Sequence, residues 1–204
     1  MSLRYAILGF LSSTPASGYQ LGREFAQGAG SYWSALPSQI YPELRELEKL
    51  GWITGEVSPT DTLKRRIFTL TPLGEAELKK WVEADNEYPP ERDSERVRLI
   101  FLDGSPPEVI RKHLEAHRAH HEQRLALWRS YREAVEKRTL RQLVRRLATR
   151  PQKDHAMIIR LKLLAIEGNV RRAELEIAWA DEALTWLDTL EREKGVTKTA
   201  KSAG

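Results

Sequence analysis

An unbroken apolar series in the last third of the 204-residue chain constrains its fold more than any other feature. Between residues 154 and 193, apolar side chains recur at steps of four and three, and no proline interrupts them. Gly168 weakens a helix here by at most about 1 kcal/mol. This heptad spacing predicts one long helix that packs against another helix at a shallow angle. The series consists of Ile159, Leu163, Ile166, Val170, Ala173, Ile177, Ala180, Leu184 and Leu187.

The spacing leaves open which helix covers this series. A helix hairpin within one chain would cover it, and so would a second copy of the chain. We expect a mixture of both, because one chain offers too little partner surface for so long a stripe. The first helix is apolar nearly all round and is a further candidate for the interface. The residues expected at a dimer interface are Leu3, Ile7, Ile166, Val170, Ile177, Leu184 and Leu187.

A polar stretch with two prolines, residues 86–93, is a plausible linker between two segments. Residues 1–85 predict three helices, two β-prone runs around a turn, and a fourth helix capped by Thr71. Residues 94–193 predict only helices, and a capping-box pattern at residues 105–108 predicts the start of one of about 30 residues. Residues 194–204 lack apolar periodicity, which is typical of a flexible tail. We therefore expect a mainly α protein: an N-terminal winged helix-turn-helix with a two-stranded β-wing, followed by an all-helical dimerisation domain.

The third predicted helix, residues 37–50, resembles a recognition helix, which would enter the major groove of DNA. Its outward side carries glutamine and arginine, which can make bidentate contacts with adenine and guanine edges. The wing adds the densest basic triplet of the first segment, as phosphate binding requires. Several glutamates on the same helix favour the alternative of an ordinary solvated face. The inward positions are Ile40, Leu44, Leu47 and Leu50, and the candidate DNA contacts are Ser38, Gln39, Tyr41, Pro42, Arg45, Lys49, Lys64, Arg65 and Arg66.

Four stretches of the first segment resemble the PadR family of bacterial transcription regulators. They are LRYAILGFL at 3–11, SGYQL at 17–21, SQIYPELRELEKLG at 38–51 and RRIFTLTPLG at 65–74. The second segment is similar to the long helical C-terminal domain of the phenolic-acid-responsive branch. The resemblance implies a homodimeric winged-helix repressor that a small aromatic molecule releases from a palindromic operator in double-stranded DNA. Carried over by position, Ser38, Gln39, Tyr41 and Arg45 would face bases or phosphates, and Arg65 and Arg66 would be wing contacts.

Composition excludes several classes of function. The absence of cysteine rules out disulfide scaffolds, thiolate metal sites and cysteine nucleophiles. The chain has no GxSxG, P-loop or Rossmann glycine pattern, so we expect neither an enzyme nor a bound cofactor. No apolar run is long enough to span a bilayer and no signal peptide is evident, so we expect a cytoplasmic protein without a membrane partner. The net charge of +4 is too small to identify a nucleic-acid partner.

All five histidines lie in the second segment, and His113, His117 and His121 recur at intervals of one helical turn. Helical histidines at this spacing can chelate a metal, but half-buried positions on an apolar seam explain them better, and no metal site is expected. A third possibility is that they line an effector pocket. A metal-responsive regulator built on this histidine face, or a helical protein-interaction module, is the alternative function. The candidate effector contacts are Trp33, His117, His121, Trp128 and Arg145.

Residues 137–153 contain seven basic side chains and no acidic one. We expect a solvated helix face that acids on neighbouring helices neutralise. The functional alternatives are an extra phosphate contact, or a counter-charge for an anionic effector, for which Arg145 is the candidate.

Overall fold

The computed structural model describes residues 3–27, 35–57, 64–86, 90 and 92–202, and within the last helix it describes side chains as far as residue 193. The chain divides into two compact units, Met1–Tyr88 and Pro89–Gly204. The helices and strands of the first unit are α1 (Leu3–Leu11), β1 (Ala16–Ser17), α2 (Gly18–Gln27), α3 (Pro37–Lys49), β2 (Ile53–Val57), β3 (Arg66–Leu70) and α4 (Pro72–Glu83).

The strands form an antiparallel sheet in the order β1-β3-β2. Phe68 at the centre of β3 is paired with Ala16 on one side and with Gly55 on the other. The predicted two-stranded wing is β2 and β3. The third strand, β1, was not predicted, because a strand of two residues is too short to show the alternation that identifies strands in a sequence. The predicted fold class, a mainly helical winged helix-turn-helix followed by helices, is confirmed.

The core of the first unit lies between α1, α2, α3 and the sheet. Ile40, Leu44 and Leu47 are buried as their spacing predicts, but Leu50 is exposed. The reason is that α3 ends at Lys49 and the chain turns at Gly51, whose positive φ of 70° suits glycine. The core is formed by Ile7, Leu8, Leu11, Ala16, Leu21, Phe25, Ile40, Leu44, Leu47, Ile53 and Phe68.

The junction between the wing and α4 requires a residue without a side chain at position 74. Thr71 caps α4 as expected: its hydroxyl accepts the N–H of Gly74 at 3.1 Å and donates to the carbonyl of Gly51 at 2.7 Å. A Cβ at Gly74 would lie 2.0 Å from the carbonyl oxygen of Trp52. Any other residue would push α4 away from the strand β2 that follows α3.

In its described residues, the second unit contains helices and no strand. Its central feature is a hairpin in which α6 lies antiparallel to the long helix α8. Arg111 of α6 pairs with Asp188 at 2.6 Å, and Arg129 pairs with Glu174 at 2.9 Å, so the two helices run in opposite directions. The elements are α5 (Ser94–Ile100), α6 (Pro107–Glu136), α7 (Arg141–Ala148), a short 3-10 turn (Gln152–Asp154) and α8 (His155–Ser202).

The heptad series of α8 packs against α6 of the same chain, which corrects part of the predicted dimer interface. Ile166, Val170 and Leu187 are buried within one chain, and so is Ile7 in the first unit. A side chain that its own chain already covers offers no further apolar surface to a second copy. Leu3, Ile177 and Leu184 are only half-buried.

Two helix ends differ from the expected ones. The helix α6 begins at Pro107 with Pro106 as its N-cap, so Ser105 does not cap it. Because Pro107 already occupies the first helical position, Glu108 is one position too early to complete a capping box. The backbone of α8 continues through Ser202 instead of ending at residue 193, since residues 194–202 contain no proline to stop it. Within the described ranges, no helix combines the length and apolar character needed to cross a bilayer.

Candidate nucleic-acid interface and effector cavity

The outward face of α3 carries every residue that the sequence proposed for base recognition. Its inward face is buried, and the opposite face is exposed to solvent. Pro42 lies inside the helix and has no N–H to donate to the carbonyl of Ser38, one turn earlier. The exposed residues brought together on this face are Ser38, Gln39, Tyr41, Pro42, Arg45 and Lys49.

Two polar side chains of this face already have partners in the protein. The Gln39 side-chain oxygen accepts the backbone N–H of Leu36 at 3.0 Å, which satisfies a donor at the start of α3. The Lys49 ammonium lies 2.6 Å from Glu46, and its hydrogen bond and charge lower the pKa of that carboxyl. A bidentate contact from Gln39 to adenine would therefore compete with the contact that starts the helix.

A groove of about 280 Å³ separates α3 from the wing strand β3. A Cβ at Gly18 would lie 2.6 Å from the Tyr41 ring, so glycine allows this tyrosine to rest on the start of α2. Tyr19 is exposed beside it and was missed in the sequence analysis, because one tyrosine after a glycine carries no periodic signal. The groove brings together Ser17, Gly18, Tyr19, Tyr41, Leu44, Arg45, Arg65, Arg66 and Phe68.

Arg66 links the wing to the recognition helix. Its guanidinium forms a fork with Glu48 of α3, at 2.6 and 3.1 Å, and donates to the carbonyl of Gly55 at 2.8 Å. The same group lies over the Phe68 ring, 5.5 Å from its centroid. These contacts give Arg66 a role in positioning the wing, beside the phosphate contact predicted for it.

The other cations of this surface are less engaged. Among the residues that the structure describes, Arg45 and Lys64 form no ion pair, and both are exposed. Lys64 has a positive φ of 47° where the chain enters the wing strand. We call the outward face of α3, together with the groove between α3 and β3, the α3–wing surface. Its positive charge therefore depends on a few residues and not on the bulk composition of the unit.

The second unit contains a cavity of about 350 Å³ between α5, α6 and α8, which we call the α5–α6–α8 cavity. Its volume is within the range of small-molecule sites, about 300–1,000 Å³. Its walls combine apolar side chains with arginine and histidine. The lining residues are Ser94, Glu95, Arg96, Arg98, Leu99, Leu102, His113, Leu114, Ala116, His117, His120 and Trp179.

His117 is held between two carboxylates at one wall of the cavity. Its Nδ1 lies 2.8 Å from Glu95, and its Nε2 lies 3.2 Å from Glu176 of α8. The Trp179 ring meets its edge at 5.2 Å. Burial and the neighbouring His117 lower the pKa of His121, because both disfavour the charged imidazole.

Arg96 contacts Glu176 and Trp179, the two residues of α8 that also contact His117. Its guanidinium donates to Glu176 and to Asp93, both at 2.6 Å, and lies 4.8 Å from the Trp179 ring centroid. Burial alone would raise the pKa of Glu176, but the hydrogen bonds from Arg96 and His117 and the charges of Arg96 and His121 outweigh it, and the pKa is lowered. Arg96 and Glu176 are 80 residues apart, so no local spacing could have paired them.

The structure brings only part of the predicted effector set to the cavity. His117 lines it and His121 contacts His117, with ring centroids 4.4 Å apart. Trp128 does not line the cavity, because it is 1% exposed in the core between α6, α7 and α8. Arg145 lies on α7 and is not part of the lining, and Trp33 lies outside the described residues. Trp179, which flanks the heptad series, takes the place expected for Trp128.

The basic run also differs from its expectation. Lys137 pairs with Glu133, but among the described residues no carboxylate forms an ion pair with residues 138–153. Burial and the charge of Arg150 lower the pKa of Arg146, and burial and Arg146 lower the pKa of Lys162. Apart from Lys137, the described residues of this run are therefore not neutralised by ion pairs, because the acids of α8 pair with arginines of α5, α6 and α8 itself.

Comparison with known protein families gives a separate match for each of the two units. Residues 7–80 match the Transcriptional regulator PadR-like family, and residues 91–188 match Virulence activator alpha C-term. The chain is 43% identical over 102 residues to the negative transcriptional regulator PadR of Bacillus subtilis, covering 49% of this chain and 56% of that protein. It spans about half the length of the curated relatives it matches.

Solved structures share the fold over nearly the whole chain. The crystal structure of Bacillus subtilis PadR in complex with operator DNA superposes with a TM-score of 0.68 at 24% identity, covering 91% of this chain and 98% of that one. The complex of the same protein with p-coumaric acid has a TM-score of 0.65 at 24% identity, covering 91% and 95%. The resemblance predicted from the motifs is confirmed: the chain contains a PadR-like domain over residues 7–80, and the segment over residues 91–188 is of the virulence-activator C-terminal type.

Proposed function

We propose that the chain is a sequence-specific, double-stranded-DNA-binding regulator that acts as a homodimeric repressor and is released by a small aromatic effector. The observation that carries the proposal is the α3–wing surface. An exposed polar helix face with Arg45 lies beside a groove of tyrosines and arginines, on a helix whose other face is fully buried. Base edges are read by such helices, and phosphates by the cations beside them. A crystal structure of the similar PadR of Bacillus subtilis contains operator DNA, and that protein is named a negative transcriptional regulator.

A second copy of the second unit would complete the dimer. After α6 has covered the heptad series, α8 still exposes Leu164, Leu175 and Trp186, the last two at 68% and 58%. These residues are spaced by 11 positions, about three helical turns, so they follow one line along the helix. The short helix α5 and its cap expose Val97, Ile100 and Phe101 as well. An apolar surface of this kind is typical of a protein interface, and a two-fold dimer would read a palindromic operator.

The α5–α6–α8 cavity is the proposed effector site. Trp179 offers an aromatic face, and the guanidinium of Arg96 stands beside it. Aromatic stacking with a cationic group nearby suits a small aromatic acid, the chemical class found bound to the solved relative.

Selection of binding sequences from random duplex DNA with the full chain would test DNA recognition. We expect a palindromic consensus, whose affinity for the protein falls steeply as salt rises. The Arg45→Ala variant tests the assignment of this residue, since it should bind the same duplex more weakly and select it less strictly. Enrichment of no sequence, or an affinity that does not change with salt, would contradict the proposal.

A further inference from the structure

The strongest feature that the proposed function leaves unused is a group of metal-ligating side chains at the edge of the cavity. Glu95 of α5 and His117 and His121 of α6 each place one ligand atom within 4.8 Å of the other two. The two imidazoles stand one helical turn apart on the same face of α6. Ligands of a tetrahedral ion with bonds of about 2.0–2.1 Å lie roughly 3.3 Å apart, so small side-chain rotations suffice to close the group around an ion.

The orientation of His117 suits metal binding. Its Nε2 faces Glu176 at 3.2 Å, and Glu176 is itself held by Arg96 at 2.6 Å. Its Nδ1 then points to Glu95. A carboxylate that holds the outer nitrogen of an imidazole fixes the ring and makes the other nitrogen a better ligand. Glu176 and Arg96 are therefore the positioning residues of the group.

The donor set and the exposure define which ion fits. Two imidazoles and one carboxylate, without a thiolate, favour divalent transition ions such as Zn²⁺ over Ca²⁺ or Mg²⁺, which prefer oxygen ligands alone. The side chain of Glu95 is 64% exposed and that of His117 only 9%, so an ion could enter from solvent and rest on a fixed inner ligand. Both residues line the cavity, so a fourth coordination position would face it.

We propose that Glu95, His117 and His121 form a binding site for one Zn²⁺ ion, with a fourth position open to the α5–α6–α8 cavity. The proposal does not depend on DNA binding or on an aromatic effector. It departs from the sequence expectation, which considered only the histidine spacing and attributed it to half-buried positions on an apolar seam. The third ligand comes from another helix, 22 residues before His117, where no spacing rule applies.

Calorimetric titration of the metal-free, full-length chain with Zn²⁺ in the absence of DNA would test this site. We expect one ion per chain. Glu95→Gln and His121→Ala should each weaken binding by about 10-fold or more, because each removes one ligand. His155→Ala is the matched control, since His155 lies on α8 and contacts the carbonyl of Arg150, and it should leave the affinity within about twofold.

Glu95→Gln keeps the test independent of folding, because this side chain is largely exposed and the change conserves its shape. Circular dichroism of each variant would verify that the helices are intact. The proposal is overturned if far less than one ion binds per chain, or if Glu95→Gln and His121→Ala bind Zn²⁺ like the parent. It is also overturned if His113→Ala weakens binding and Glu95→Gln does not, since the ligands would then be the three histidines of α6.

Discussion

The helices α3 and α8 are built on the same rule and differ in what their second face carries. Each buries one apolar face within its own unit. The remaining face of α3 is polar and basic, whereas the remaining face of α8 keeps large apolar residues such as Leu175 and Trp186 exposed. A polar outer face can function in water or against DNA, but an apolar one gains free energy only when another protein surface covers it. This difference supports the proposal that α3 serves recognition and α8 serves assembly.

The largest expected effect is on the free energy of unfolding, and it distinguishes the buried inner face of the α6–α8 hairpin from its exposed outer face. Trp128→Ala should lower the free energy of unfolding by about 3–5 kcal/mol, because it opens a cavity in the helical core. Trp186→Ala should cost far less in the stability of the single chain, measured at protein concentrations where the dimer has dissociated, since its side chain is 58% exposed there. Urea denaturation of both variants, followed by circular dichroism, measures the contrast. Equal losses would mean that the two faces of the hairpin are not distinct.

The outer face of α8 should determine the oligomeric state. Leu175→Glu is expected to weaken dimerisation by about 100-fold or more, because a charge would be buried without a partner. Sedimentation equilibrium measures the dissociation constant. Thr185→Glu places the same charge at an exposed position of the same helix outside the apolar line, and it should change that constant little. A dimer that tolerates Leu175→Glu would show that another surface joins the two copies.

The outer face of α3 should determine sequence preference. Arg45→Ala is expected to cost about 1–3 kcal/mol of operator binding and to relax discrimination between sequences. Lys64→Ala should instead weaken binding evenly and reduce the slope of affinity against salt by about one. Fluorescence anisotropy with operator and mismatched duplexes distinguishes the two. The assignment fails if Lys64→Ala changes sequence preference and Arg45→Ala does not.

The smallest expected effect concerns Arg66. If its main role is to position the wing through Glu48, then Arg66→Ala and Glu48→Gln should both weaken operator binding by similar, modest amounts, and each should lower stability by about 1 kcal/mol or less. If it contacts phosphate, only Arg66→Ala should reduce the salt slope. Anisotropy at several salt concentrations, with denaturation curves for both variants, separates these roles.

The sequence predicted much of the DNA-binding unit because its signals are local. The inward positions of α3, the Thr71 cap and the basic wing all depend on neighbours within a few turns. The failures lie where distant segments meet. We predicted that Trp128 contacts the effector, but this side chain is buried in the helical core. Trp179 of α8 lines the cavity instead, because α5 lies beside it. The cluster of Arg96, His117 and Glu176 joins three helices and has no counterpart in any spacing.

The periodicity of the chain by itself determined that α8 is long and that one of its faces is apolar throughout, and the order of the predicted elements indicated that the first segment is a winged helix. Only the tertiary structure decided that α6 of the same chain covers this face, while Leu175 and Trp186 remain exposed. It also decided which cations are paired, such as Arg66 with Glu48, and which side chains come together around His117. A heptad pattern specifies that a helix needs a partner, because apolar area must leave water, but it does not specify which partner. That choice depends on loop lengths and on side chains that come together only when the chain has folded.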